Sequence, residues 1–245
     1  MAFFRSALAV LLIVLASSCA AREKLGDKDF SSPFSRSSQT EKHFEFIDHL
    51  ISPAVGSLYN THNSFVGSCV LIKEDVALTA GHCIEFGNLK YIRFGNEEIA
   101  IKHQYLHKDY WTKVDDIAFL LLHSPSEHEP IKIITDVEEL PKMVPLKTIA
   151  HGSGRKKISK ERVFRYYGIL KNKPNEIVFL PLKATVWFGD SGGALLYTDI
   201  TGNSYLIGII THFSVIEQKI YECAARRVDN IIFYDDIWEP WVDTL

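Results

Sequence analysis

The chain has 245 residues, 47% of them apolar, 23% charged and 12% aromatic, and its 27 Lys and Arg against 30 Asp and Glu give a net charge of −3. So much apolar material excludes a chain disordered for want of a core, and 14 glycines and 9 prolines in no fixed period exclude a collagen-like or low-complexity repeat. The balanced charge excludes a nucleic-acid binder of the basic-patch type, because counterion release requires clustered Lys and Arg.

In chain order, Arg5, the apolar run Ala7 to Ala16 and the small residues Ser17 to Ala21 read as an export signal over 1–21. The run is about half the roughly 20 apolar residues a spanning helix needs, and no later stretch is long enough. The protein is therefore expected to be exported into an oxidising compartment. Two processing routes stay open. A signal peptidase can cut after Ala20 or Ala21. Alternatively Leu15-Ala16-Ser17-Ser18-Cys19, which resembles a bacterial lipoprotein signal, makes Cys19 an acylated first residue and the one membrane contact. With a bacterial source the destination is the periplasm, the medium or, lipid-anchored, the outer membrane. Residues 22–42 are rich in Ser and charge without apolar periodicity and read as a leader, prosegment or linker.

From His43 onward short β-branched and aromatic runs alternate with turn signals: Ser68 to Ile72, Val76 to Thr79, Leu89 to Phe94, Ile117 to Leu122, Glu176 to Leu180 and Tyr205 to Thr211. Strands at this spacing predict an all-β sandwich or barrel. Thr198 to Asn203 reads as a hairpin loop. Residues 229–245 depart from the pattern, with apolar residues at helical spacing as far as Trp238, and predict a C-terminal helix disturbed by Pro240.

Three segments carry the chemistry. In Gly189-Asp190-Ser191-Gly192-Gly193 a serine lies between glycines, so a tight turn can expose its hydroxyl while flanking backbone N–H groups face a developing oxyanion. A serine nucleophile needs a base at neutral pH. Thr79-Ala80-Gly81-His82-Cys83 supplies a histidine directly after an apolar run, and a disulfide to Cys69, fourteen residues earlier, would clamp it; a loop of that size is worth about 3 kcal/mol in the chain-entropy account. The base in turn needs an orienting carboxylate. Asp115-Asp116 at the edge of the apolar run Ile117 to Leu122 offers one, partly buried and in need of a partner.

Together these segments resemble the chymotrypsin/trypsin family of serine proteases, in that family's order of His, Asp and Ser. Gly67 to Ile72, His107 to Tyr110 and Gly208 to Thr211 extend the resemblance from about Pro53 to the C-terminus. It implies two antiparallel β-barrels, over 43–135 with His82 and Asp116 and over 136–228 with Ser191, and an active site in the cleft between them. It implies His82 as general base, Asp116 as orienting carboxylate and Ser191 as nucleophile, with Gly189 and Ser191 N–H groups as the oxyanion hole. Protein or peptide is the implied substrate of a monomer that needs no cofactor or metal and binds no nucleic acid.

Departures from the family bear on specificity. Thr185, six before Ser191, stands at the base of the primary pocket, where trypsin-like members carry an aspartate, so a basic preference is not expected. Trp187 replaces a cysteine four before the serine. Along the substrate-pairing strand Thr211-His212-Phe213, Phe213 narrows the pocket mouth toward small apolar side chains or blocks it. Cys223 falls near the far pocket wall and, if Cys69 and Cys83 pair, is a buried thiol. Asp190 is implied to need a buried partner, which many members supply as a freed N-terminal amine, yet no Ile-Val-Gly-Gly or close variant occurs between Arg22 and Pro53. Two readings follow: an exported serine endopeptidase, or a catalytically weak relative that binds a protein or surface.

Overall fold

The computed structural model describes residues 44–46, 53–111, 115–141, 144, 146–152, 157–159, 164–170, 173–181, 186, 188–216, 219–229, 231 and 238–240. The export signal, with Cys19, and the leader lie outside the described residues. So does Thr185.

The first sheet is built from β2 (Val55–Asn60), β3 (Phe65–Lys73), β4 (Val76–Thr79), β5 (Leu89–Phe94), β6 (Glu97–His107) and β7 (Ala118–Leu122). All pairings are antiparallel in the order β6-β5-β2-β3-β4-β7, and β6 also pairs with β7, so six strands close a barrel. The second sheet is eight-stranded and antiparallel. It comprises β1 (Phe44–Phe46), β8 (Leu146–Ala150), β9 (Lys157–Ser159), β10 (Phe164–Leu170), β11 (Lys173–Pro181), β12 (Ala194–Thr198), β13 (Ser204–Ile216) and β14 (Lys219–Arg227), in the order β1-β9-β8-β12-β13-β14-β11-β10. Its β10 end returns to lie against β8. The architecture is the all-β double barrel expected, and four of the six anticipated strands start within a residue of their expected position, while β3 and β11 each begin three residues earlier.

Side-chain alternation explains why these strands read as continuous apolar runs rather than as polar–apolar patterns. On β3, Cys69 and Leu71 enter the first core with Leu58, Ala77, Ile92, Phe94 and Leu120. The intervening Val70 faces the other way and meets Leu78 of β4, Ile117 just before β7, and Ile149, Ala194, Leu206 and Ile209 of the second sheet. On β13, Ile207 and Ile210 turn into the second core beside Phe179, Leu195 and Cys223. Strands buried on both faces lose the period-2 polar signal. Each fully buried Leu, Ile or Phe contributes about 1.5–3 kcal/mol, so the shared cluster fixes the barrels to each other.

Two elements differ from expectation. His82 lies on a helix, α1 (Gly81–Gly87), which ends at Asn88 in the left-handed region (φ 47°). Of the C-terminal helix expected over 229–245, residues 230, 232–237 and 241–245 lie outside the described residues, and Trp238–Pro240 form a strand, β15, paired with His107, Leu106 and Tyr105. The register of β6 explains this. It passes from β5 at 97–100 to β7 at 101–106, which leaves the opposite edge of 105–107 for β15. Pro240, with no N–H, is tolerated on such an edge strand and not in a helix interior.

Candidate active site

The first barrel supplies a paired histidine and aspartate. Strand β4 delivers the chain to α1, and His82 in its first turn is half-buried. Its backbone N–H donates to Asp116 Oδ1 at 2.9 Å, and its Nδ1 lies 2.8 Å from Asp116 Oδ2. Both carboxylate oxygens are thus used on one residue, which fixes ring orientation and puts the proton on Nδ1. Burial opposes the imidazolium, yet the Asp116 carboxylate and its hydrogen bond outweigh burial and hold His82 well above its ordinary value. Asp116 is lowered against its own burial by the same pairing. Tyr110 packs over this pair: a Cβ on Gly81 would stand 2.6 Å from its ring and 3.1 Å from Asp116 Oδ1, so the site requires glycine there. The Tyr110 hydroxyl donates to Glu85, and burial together with that carboxylate raises it.

Ser191 stands on a turn tied to both sheets. Its carbonyl accepts from Ser68 N–H at 2.8 Å, and Gly192 N–H donates to Ile210 O at 2.8 Å. Gly193 N–H closes the turn on Asp190 O at 2.9 Å. Gly189 and Gly192 have φ of 86° and 81°, values that favour glycine. At Gly192 the demand is also steric, since a Cβ would meet Ser68 O at 1.9 Å. The Ser191 hydroxyl is directed at Thr211 O, 3.5 Å away, and among the described residues it makes no hydrogen bond to His82.

Sequence reasoning missed Ser68. Fully buried, it donates through Oγ to Gly189 O at 3.3 Å and accepts from His151 N–H at 2.8 Å, while Thr79 Oγ1 donates to its carbonyl at 2.8 Å. The available signal was a polar residue inside the apolar strand run Gly67 to Ile72.

The remaining expected residues gather on the second sheet. Phe213 pairs with Cys223 across β13 and β14 and leans on the second core. Its ring meets that of Phe188, which immediately precedes Gly189, edge to face at 5.4 Å between centroids. Burial, with the Asp190 carboxylate nearby, pushes the Cys223 thiol up to about 12. Asp190 itself is buried. His212 lies 3.2 Å from Glu176 and Nδ1 is 3.1 Å from Thr211 Oγ1.

The expected bridge between Cys69 and Cys83 is not formed: Cys83 is a buried thiol. The residue facing its sulfur is Gly67, where a Cβ would stand 2.9 Å from Cys83 Sγ, and Cys69 comes two positions later on the strand. For a metal, the donor atoms of His107, Asp109 and Asp115 approach within 4.8 Å of one another. Asp115 is already committed to Arg226, whose fixed positive charge opposes a cation there.

A closed antiparallel barrel and a second antiparallel sheet, joined through a common apolar cluster and bearing an aspartate-held histidine on one side and a glycine-flanked serine on the other, define the class of trypsin-like double-barrel proteins. Residues 45–232 match the family Trypsin, and the chain belongs to it: it is a trypsin-like serine protease, of a family whose substrates are proteins or peptides. No curated protein matches the chain.

Proposed function

We propose that this is an exported serine endopeptidase that acts through an acyl-enzyme. The observation that carries the reading is the double contact of His82 with Asp116, because a histidine with Nδ1–H held by a carboxylate presents Nε2 as a base. In the reaction the Ser191 hydroxyl turns from Thr211 O to His82 Nε2, which takes its proton as Oγ bonds to the substrate carbonyl carbon. Catalytic hydrogen bonds of this kind commonly tighten only when substrate is bound. The carbonyl oxygen, now negative, is received by the N–H groups of Gly189 and Ser191. His82 then passes the proton to the leaving amine, and water repeats the sequence on the ester.

The pairing of β13 with β12 ends at Ile209, and the stretch Thr211 to Phe213 beyond it receives the substrate backbone. Phe188 and Phe213 narrow the pocket mouth, which favours a small apolar side chain before the cleaved bond and disfavours Arg and Lys.

The same ring pair favours a second reading, a catalytically weak relative whose pocket is closed and whose role is binding. An organophosphonate probe separates the two. Labelling of wild type at Ser191, lost in Ser191→Ala together with a fall in peptide hydrolysis of several orders of magnitude, is the expected result. Labelling only after mild tryptic treatment identifies a zymogen. No labelling in either state selects the binding reading.

A further inference from the structure

A second polar cluster lies beside Asp116 and crosses from one barrel to the other. Asp115 is 2% exposed and Arg226, on β14, is 5% exposed. Arg226 Nε donates to Asp115 Oδ1, and Asn175 Nδ2 donates to Asp115 Oδ2 at 3.1 Å. His107, at the end of β6, approaches the same carboxylate with Nδ1 at 3.6 Å, while that nitrogen accepts from Asp109 N–H at 3.2 Å. Successive residues therefore face opposite partners: Asp116 holds His82, and Asp115 holds the second barrel.

Burying an Arg and an Asp costs each its hydration, and such a pair is weak evidence for stability in itself. Its best-supported use is to fix one geometry among several. Here the geometry concerned is the one on which the proposed reaction depends. β14 pairs with β11 on one side and with β13 on the other, Glu176↔Arg226↔Ile209. β13 also carries Thr211, to which Ser191 is bonded. The cluster thus ties the segment bearing Asp116 to the strand ladder against which the serine rests.

We propose that Asp115 and Arg226 are positioning residues: their buried ion pair, completed by Asn175, fixes Asp116 and thereby His82 relative to Ser191 across the barrel boundary. This rests on the serine-protease reading for its consequence in catalysis. Misplacement by about an ångström costs about 100-fold in rate, so Asp115→Asn and Arg226→Met are each expected to lose about 10- to 100-fold in kcat with little change in KM.

The decisive readout does not require turnover. The His82 ring is titrated by NMR in wild type and both variants, its signal assigned by its loss in His82→Gln. The two substitutions remove opposite charges, so a pure field effect moves the His82 midpoint down in Asp115→Asn and up in Arg226→Met. Loss of positioning weakens the hold of Asp116 on the ring and moves the midpoint down in both. Opposite movements, or none, overturn the proposal. Should a single variant fail to fold, the uncharged double variant Asp115→Leu/Arg226→Met is titrated instead, with a lowered midpoint supporting the proposal and an unchanged one overturning it. Failure of Ser191 to take the phosphonate in wild type would refute the catalytic reading while leaving this titration interpretable.

Discussion

His82 and Asp116 are each pushed by burial toward neutrality and pulled by the other toward charge, and in both the partner prevails. The consequences for stability have opposite pH limits. His82 is raised on folding, so its contribution is complete below its unfolded value, about 6.5, and is lost as pH rises through the folded value. Asp116 is lowered, so its contribution is present above about 4 and is lost as pH falls through the folded value. The pair is therefore most stabilising between about pH 4 and 6.5. In the proposed reaction activity runs the other way, because only neutral His82 can accept the serine proton. kcat/KM is expected to rise with pH through a midpoint clearly above 6.5, and His82→Gln to lose more stability at pH 5.5 than at pH 9 in urea unfolding. A rate midpoint at or below 6.5 would contradict the role given to Asp116.

Strand β3 shows how one element serves two barrels and a site. Its alternate residues fill the first core and the shared cluster, and its start lies against α1 and the serine turn. At Gly67 the space for a side chain is bounded by Cys83 Sγ at 2.9 Å and Ser191 O at 3.0 Å. A Cβ stands about 3 Å from the far sulfur of a disulfide, as the bond lengths require. Gly67→Cys is accordingly expected to bridge to Cys83 under oxidising conditions and to raise stability by about 3 kcal/mol, less whatever the Ser191 carbonyl takes in strain. Mass analysis after alkylation of the denatured protein checks this, and a Cys83 that still alkylates without reductant contradicts it. The same element shows what sequence could and could not supply. Val76–Thr79 and Leu89–Phe94 were legible to the residue because β-branched and aromatic runs between turns have few other uses. β6 was not, because Glu97, Glu98, Lys102, His103 and Gln104 interrupt the apolar run and hide a strand that pairs along its whole length. The bridge to Cys69 was misassigned because cysteine spacing says nothing about which residue of a strand faces the sulfur.

At the scale of the molecule, Ser191 and His82 adjoin strands of different sheets, so the proposed reaction depends on bonds that cross between them. Ser68 is one such link, from β3 to Gly189 and to the backbone of His151 after β8. Ser68→Ala leaves a buried N–H without its acceptor, and an orphaned donor costs about 1–3 kcal/mol. A loss of about 2 kcal/mol in urea unfolding, with reduced phosphonate labelling at Ser191, is expected; unaltered stability would show that water or another group replaces the hydroxyl. The sequence by itself determined the all-β class, the trypsin-like resemblance and the three segments with His82, Asp116 and Ser191, because short motifs with fixed backbone demands are local properties of the chain. Only the tertiary structure decided that Gly67 rather than Cys69 faces Cys83, that Trp238–Pro240 is a strand, that Phe188 and Phe213 meet, and that Asp115 reaches across to Arg226. Those are contacts between residues from sixteen to more than a hundred positions apart, and their partners are chosen by strand register and by burial, neither of which is written at any single position.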